Sequence, residues 1–361
     1  MASTTHPNFN GKTEGKEVTE AFKDVVVGKT IMVTGVNTGG IGFSTSQALA
    51  SQSPKQIIIT GRSPDKLKAS IDALKSDFPN VDYRSLQVDL SSQASVRKAA
   101  AEVLSWTDVP TIDIVINSAG IMGVPERTFT VDGVEMHFGT NVIGHFLLTN
   151  LIMPKIIAAA KKNPKGSTRI VNVSSQSPEV SSIRWSDMSF DKKNKDLPAS
   201  EQPDYGWLHD WGYPDMHDVA YIPIDGYHRS KVGNVLFGIA LNNRLFTSHG
   251  IFSTGVHPGV IGTELGRNFS EETMKAIADM NASGRFVPKT LGAGASNSLT
   301  AALDPKLAQG VGEARDGKEN WGAYLVDCQI SGQANPLAVS SEEAEKLWKH
   351  CEGVVGETFE W

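Results

Sequence analysis

The chain has 361 residues, a formal net charge of −6 and 40% hydrophobic residues, which suits one large domain carrying insertions better than three separate ones. It contains no block of five or more basic residues, so it lacks the electrostatic footprint of nucleic-acid or anionic-membrane binding, and small molecules are the expected partners. No stretch reaches the roughly 18–20 apolar residues of a membrane span, and MASTTHPNFNGKTEGKEVTE at the start has no apolar signal segment. Cys328 and Cys351 stand outside any metal-ligand spacing, so no metal site and a reducing, cytoplasmic location are expected.

In chain order, residues 1–24 are predicted as a polar tail followed by a short helix, EVTEAF, with Thr13 as its cap. A single domain is expected over 25–340. Within it the apolar runs TIMVTG, QIIITG, YRSLQVDL, IDIVINSAG, RIVNVSS, IFSTGVHPG and WGAYLVDC recur, most of them separated by helical periodicity such as 41–52, 64–76, 92–106 and 134–161. Runs apolar on both faces belong to strands covered on both sides, so the pattern predicts an α/β fold: a doubly wound parallel sheet of about seven strands. Ligands of such sheets bind at the carboxyl ends of the strands, where each run finishes on a small or polar residue. Residues 176–226 interrupt the rhythm with Trp185, Phe190, Tyr205, Trp207, Trp211, Tyr213 and Tyr221, and predict an ordered aromatic lid. Residues 341–361 are expected to form a C-terminal helix or tail.

Several strand ends carry chemistry. TGVNTGGIG, residues 34–42, lies between a strand and a helix, where glycines let the backbone approach a pyrophosphate and the helix N-terminus stabilises its charge. The second strand ends at Arg62, about twenty residues on, where an acidic residue would favour NAD; a guanidinium instead suits a 2′-phosphate, so NADP(H) is the predicted cofactor. Farther on come Asp89-Leu90, then Asn117-Ser118-Ala119-Gly120, then Asn141 inside GTNVIGHFLLTN, read either as a working amide or as a satisfied core residue. Ser174-Ser175 ends the fifth strand. In Tyr227-His228-Arg229-Ser230-Lys231 the first and last residues share a helix face, and a neighbouring ammonium would lower the phenol's pKa toward neutrality.

Taken in this order, the motifs resemble those of the short-chain dehydrogenases/reductases over roughly residues 25–330. TGVNTGGIG is similar to their TGxxxGxG turn, NSAG to NNAG, Ser175 with YHRSK to their Ser–Tyr–Lys set, and HPGVIGT to the loop after the sixth strand. Phrases such as NVIGHFLLTNLIMP and SKVGNVLF look like the branch of retinol dehydrogenases and WW-domain oxidoreductases, particularly fungal relatives.

The resemblance implies a Rossmann-like fold and an NADP(H)-dependent carbonyl reductase or alcohol dehydrogenase acting on a bulky apolar substrate. Catalytic roles would fall to Asn141, Ser175, Tyr227 and Lys231, with Tyr227 exchanging the proton, Ser175 holding the oxygen and Asn141 anchoring a relay water. Cofactor contacts would come from Gly35, Asn37, Thr38, Gly40, Ile41, Gly42, Arg62, Asp89, Leu90, Asn117, Ala119, Gly120, Tyr227, Lys231, Pro258, Gly259, Val260 and Thr263. Asn37 or Thr38 would lie beside the 2′-phosphate. A homodimer would form through the helices containing 134–161 and 227–247, unless the insertion or the C-terminal tail covers that face.

Three departures stand out: one extra residue in the glycine turn, Ser118 for the second Asn of NNAG, and an interval of 52 from Ser175 to Tyr227. The last places substrate specificity in the insertion. Lyase- or cyclase-type acid/base chemistry and a non-catalytic NADP(H)-binding module remain as alternatives.

Overall fold

The alternating runs resolve into one eight-stranded sheet in a computed structural model that describes residues 1–361. Its order is β3-β2-β1-β4-β5-β6-β7-β8, with β1 Thr30–Thr34, β2 Gln56–Gly61, β3 Asp82–Gln87, β4 Ile114–Asn117, β5 Thr168–Val173, β6 Ile251–His257, β7 Tyr324–Val326 and β8 Gln329–Ile330. Every pairing is parallel except the last, in which Leu325 faces Ile330. The expected count of about seven omits β8, whose two residues are too few to show a period. Asp327 and Cys328 turn the chain into it, both at positive φ as a two-residue hairpin of type I′ requires.

Alternate residues of a strand face opposite sides, so Met32 and Ile58 enter one apolar layer while Ile31, Val33, Ile57 and Ile59 enter the other. The first layer is closed by the helices Gln93–Ser105, Gly144–Leu151 and Pro223–His249; the second by Gly15–Ala21, Ile41–Ala50 and Leu291–Leu303. Strand order reverses between β1 and β4, which opens a crevice at their carboxyl ends.

Both termini are more tightly integrated than their polar sequences suggest. Thr5 bonds the Asp304 carboxylate through its amide and its hydroxyl, each at 2.6 Å. The first helix is capped by Glu14 in a reciprocal box with Glu17, whereas the hydroxyl of Thr13 accepts the Asn10 amide. At the other end, the helix Ser341–Val355 lies along Pro223–His249, and Leu347, Trp348 and Cys351 join the same core as the sheet. Trp348 packs edge-on to Phe146 at 4.9 Å and against Phe237, with Phe359 and Trp361 behind. The helix face expected to carry a homodimer is therefore covered by the chain's own C-terminal segment. No single helix is long and apolar enough to cross a membrane.

Candidate active site

The glycine turn is built by sterics. Gly35 takes φ +72, and a Cβ there would stand 2.5 Å from the Ala119 Cα, so β1 and β4 can approach at their ends only with glycine at 35. A Cβ on Gly42 would meet the Gly35 carbonyl at 2.8 Å, and one on Gly40 would collide with the Asn37 side chain. The extra residue of the turn is absorbed at Gly39, left-handed at φ +83 with nothing near its missing side chain. Gly40 then starts the helix Ile41–Ala50 with no side-chain cap, which leaves the first-turn amides to an outside acceptor.

From this turn a cleft of about 640 Å³ runs across the crevice. Gly35, Asn37, Gly40, Ile41, Gly42, Arg62, Asp89, Leu90, Ala119, Gly120, Tyr227, Lys231, Pro258 and Thr263 all line it. The remaining expected residues do not. Thr38 points to solvent, because the left-handed step at Gly39 turns the tip of the loop outward. Asn117 is buried beneath the floor, donating to Thr149 and Asn172. Gly259 and Val260 stand back from the cleft, where Gly259 folds over the Lys289 side chain and the Val260 carbonyl accepts the Lys289 amide.

Asn141 is also off the wall: its amide is committed to Ile121 on both its atoms and to Ser230 Oγ at 2.9 Å. Both amide protons and one lone pair of its oxygen are thus used inside the protein. Its structural role is to fasten the loop after β4 to the long helix.

The sequence reading missed Lys66 and Arg267, which also line the cleft, with Lys66 paired to Glu264 at 3.1 Å. A signal for Lys66 existed. It sits in the first turn of the helix Pro64–Asp77, the end where the helix dipole disfavours a cation unless something anionic comes near.

At the far end, Lys231 Nζ donates to the Val173 carbonyl at 2.8 Å and lies 5.6 Å from the centroid of the Tyr227 ring. The Ser175 hydroxyl pairs with Ser177 Oγ at 2.6 Å and lies near the Tyr227 phenol, while Ser174 donates to the Lys231 carbonyl inside the protein. Burial dominates the electrostatics. It pushes the Tyr227 phenol well above its usual range, opposed only by the nearby Ser175 hydroxyl, and lowers the Lys231 ammonium to about 7. Burial thus works against the expectation that Lys231 draws the phenol toward neutrality, because desolvation penalises both charged forms.

The insertion divides in two. Trp185 turns outward to the C-terminal helix, donating to Glu343 and packing on His350, while Phe190 lies under Arg184 and against Tyr221. By contrast, the helix Tyr205–Asp210 carries Trp207, stacked on Trp211 at 4.7 Å and edge-on to His228. Trp207, Trp211 and Tyr213 pack with Met122 and Phe269 around the small cluster Leu208, Ile222, Ile224 and Tyr227. Buried ion pairs hold this wall in place. Arg229 reaches Asp225 at 2.9 Å and the carbonyls of Ser182 and Glu201, each at 2.8 Å, and Arg184 binds Asp187.

The short chain dehydrogenase family matches residues 29–189. An oxidoreductase of Fusarium equiseti is 33% identical over 251 residues, which span 70% of this chain and 94% of the relative. Human retinol dehydrogenase 13 is 31% identical over 341 residues, spanning 92% and 86% respectively. Among solved structures, an uncharacterised protein from Mycobacterium paratuberculosis aligns with a TM-score of 0.60 at 25% identity, covering 93% of this chain and 96% of that one. L-sorbose reductase from Gluconobacter frateurii, complexed with NADPH and L-sorbose, shares the fold at a TM-score of 0.52 and 15% identity, covering 78% and 92%. Together with the strand order and the glycine turn, these likenesses show that the chain is an oxidoreductase belonging to the short-chain dehydrogenase family, in its retinol dehydrogenase-like branch.

Proposed function

We propose that the chain is an NADP(H)-dependent oxidoreductase that interconverts a ketone or aldehyde and an alcohol on a bulky apolar substrate, working as a reductase. The carrying observation is that one cleft joins a backbone cradle with Arg62 at one end to Tyr227 and Lys231 at the other. The cradle fits a dinucleotide, since the glycines let the turn close on β4 and on itself, and the uncapped start of the helix Ile41–Ala50 leaves first-turn amides for a pyrophosphate. Arg62 offers a planar guanidinium to a 2′-phosphate, which an NAD site would not require. When bound, the nicotinamide supplies or accepts the hydride.

The chain's own residues handle the proton. A phenol held protonated by burial is a donor to the carbonyl oxygen, and the Ser175 hydroxyl beside it can hold that oxygen in line. Lys231, when charged, stabilises the phenolate left behind. The apolar wall of Trp207, Trp211, Tyr213 and Phe269 near Tyr227 supports a large apolar substrate rather than a small polar one.

The test follows NADPH absorbance with a panel of aromatic and polyketide-like ketones, using wild type and Tyr227→Phe. Turnover that drops by about a thousandfold or more in the variant, with NADPH still bound, is the expected result. Product formed without loss of NADPH would point to lyase or cyclase chemistry, and NADPH binding without any turnover to a binding module.

A further inference from the structure

Thr34 is the last residue of β1, and its hydroxyl oxygen accepts two backbone amides from the loop after β4: Ser118 at 2.9 Å and Ala119 at 3.0 Å. A hydroxyl has two lone pairs and one proton. With both lone pairs used, the proton must go to an acceptor, and the third neighbour is His145 Nε2 at 2.9 Å. Nε2 is therefore bare and the imidazole proton sits on Nδ1. That nitrogen faces the Asn141 backbone carbonyl at 3.0 Å, which can only accept. Both ends of the ring demand the same tautomer.

The surroundings keep it that way. Thr34 and His145 are buried, and burial lowers the imidazole to about 4, with Lys231 the nearby cation acting in the same direction. His145 opens onto a π-helical turn, Gly139–Ile143, which carries Asn141; such wide turns recur at functional sites. From Asn141 the chain of bonds continues through its amide to Ile121 and Ser230 Oγ, and from Ser230 Oγ to the Tyr227 carbonyl at 2.7 Å.

We propose that His145 is a positioning residue: a neutral imidazole of fixed tautomer that ties the cofactor turn at Thr34-Gly35 to the loop 118–121 and, through Asn141, to the backbone of Tyr227. It touches neither the cleft nor the reacting atoms. It sets the spacing between the two ends of the site, so its loss registers first in cofactor binding. The inference rests on reading the cleft as an NADP(H) site.

The test titrates NADPH fluorescence against wild type, His145→Phe, His145→Gln, Thr34→Val and the double variant Thr34→Val/His145→Phe. His145→Phe strands the Thr34 proton and the Asn141 carbonyl, and the Kd for NADPH is expected to rise about ten- to hundredfold. His145→Gln offers one donor and one acceptor on a shorter side chain, and its Kd should return to within about threefold of wild type. Thr34→Val keeps the shape and loses the hydroxyl, and the double variant should lose less than the product of the two single losses, as two parts of one unit do.

His145→Phe binding NADPH like wild type while only its melting temperature falls would overturn the inference, as would independent, multiplying losses in the double variant. If His145→Phe does not fold, Thr34→Val decides: a raised Kd supports the bridge and an unchanged Kd overturns it. Wild type that fails to bind NADPH would instead remove the reading of the cleft, and this inference with it.

Discussion

The two halves of the site are held by different physics. Around the glycine turn the geometry is a backbone matter: Gly35 and Gly39 in left-handed conformations, an uncapped helix start, and hydroxyl bridges between strand ends. In the insertion it is a side-chain matter, with buried Arg184 and Arg229 neutralised by Asp187 and Asp225 and by loop carbonyls, and aromatic rings packed on one another. The first kind of construction tolerates almost no side chain. The second tolerates many backbones, provided that its charges stay paired, and this is how a fifty-residue excursion can be attached between Ser175 and Tyr227 without disturbing either.

The sharpest break in this comparison is Arg229→Met. It leaves the Asp225 carboxylate buried without its partner and should cost about 3–5 kcal/mol in urea unfolding. In the folded fraction the expected result is a raised KM for an apolar ketone with NADPH affinity within about threefold of wild type. Adding Asp225→Asn should restore part of the stability.

Gly35→Val breaks the other half. A β-branched side chain at φ +72, facing Ala119 at 2.5 Å, should weaken NADPH binding by about a hundredfold or more and destabilise by about 2–4 kcal/mol. Here the packing of the insertion should persist, visible as unchanged near-ultraviolet circular dichroism from Trp207 and Trp211.

Arg62→Asp probes the cofactor end without touching the fold. The ratio of kcat/KM for NADPH over NADH should fall by about ten- to hundredfold, and an unchanged ratio would remove Arg62 from its role.

The smallest effect is read from pH. Burial lowers Lys231 to about 7, so its ammonium is lost as pH rises through that value, and kcat/KM for reduction should decline on the alkaline side of 7. Unfolded lysine keeps its proton up to about 10.5, so the unfolded state binds more protons in this window, and Lys231 makes stability rise with pH between about 7 and 10.5. Lys231→Arg, charged throughout, should flatten the activity limb even where its rate is lower.

Much of this was legible in the sequence, for a definite reason. The strands are apolar on both faces, the glycine turn must lie between a strand and a helix, and Tyr227 and Lys231 share a helix face by their spacing alone, so local rules carry the fold class and the cofactor end. The same rules went astray where neighbours distant in sequence decide. Asn141, expected to anchor a water, also fastens Ile121 and Ser230 through its amide, which no local spacing announces. Thr38 was drawn toward the 2′-phosphate but is turned out by Gly39. The phenol of Tyr227 was expected near neutrality and is held protonated, since desolvation depends on what surrounds a group and not on what lies four residues away.

The sequence by itself determined the doubly wound sheet and the family, because period, turn sterics and short spacings are local properties. Only the tertiary structure decided that the C-terminal helix seals the face of Pro223–His249, that the aromatics divide between an outer buttress and a wall near Tyr227, and that His145 joins β1 to Asn141. Each of these depends on burial and on contacts across long stretches of chain, which the periodicity of a sequence does not encode.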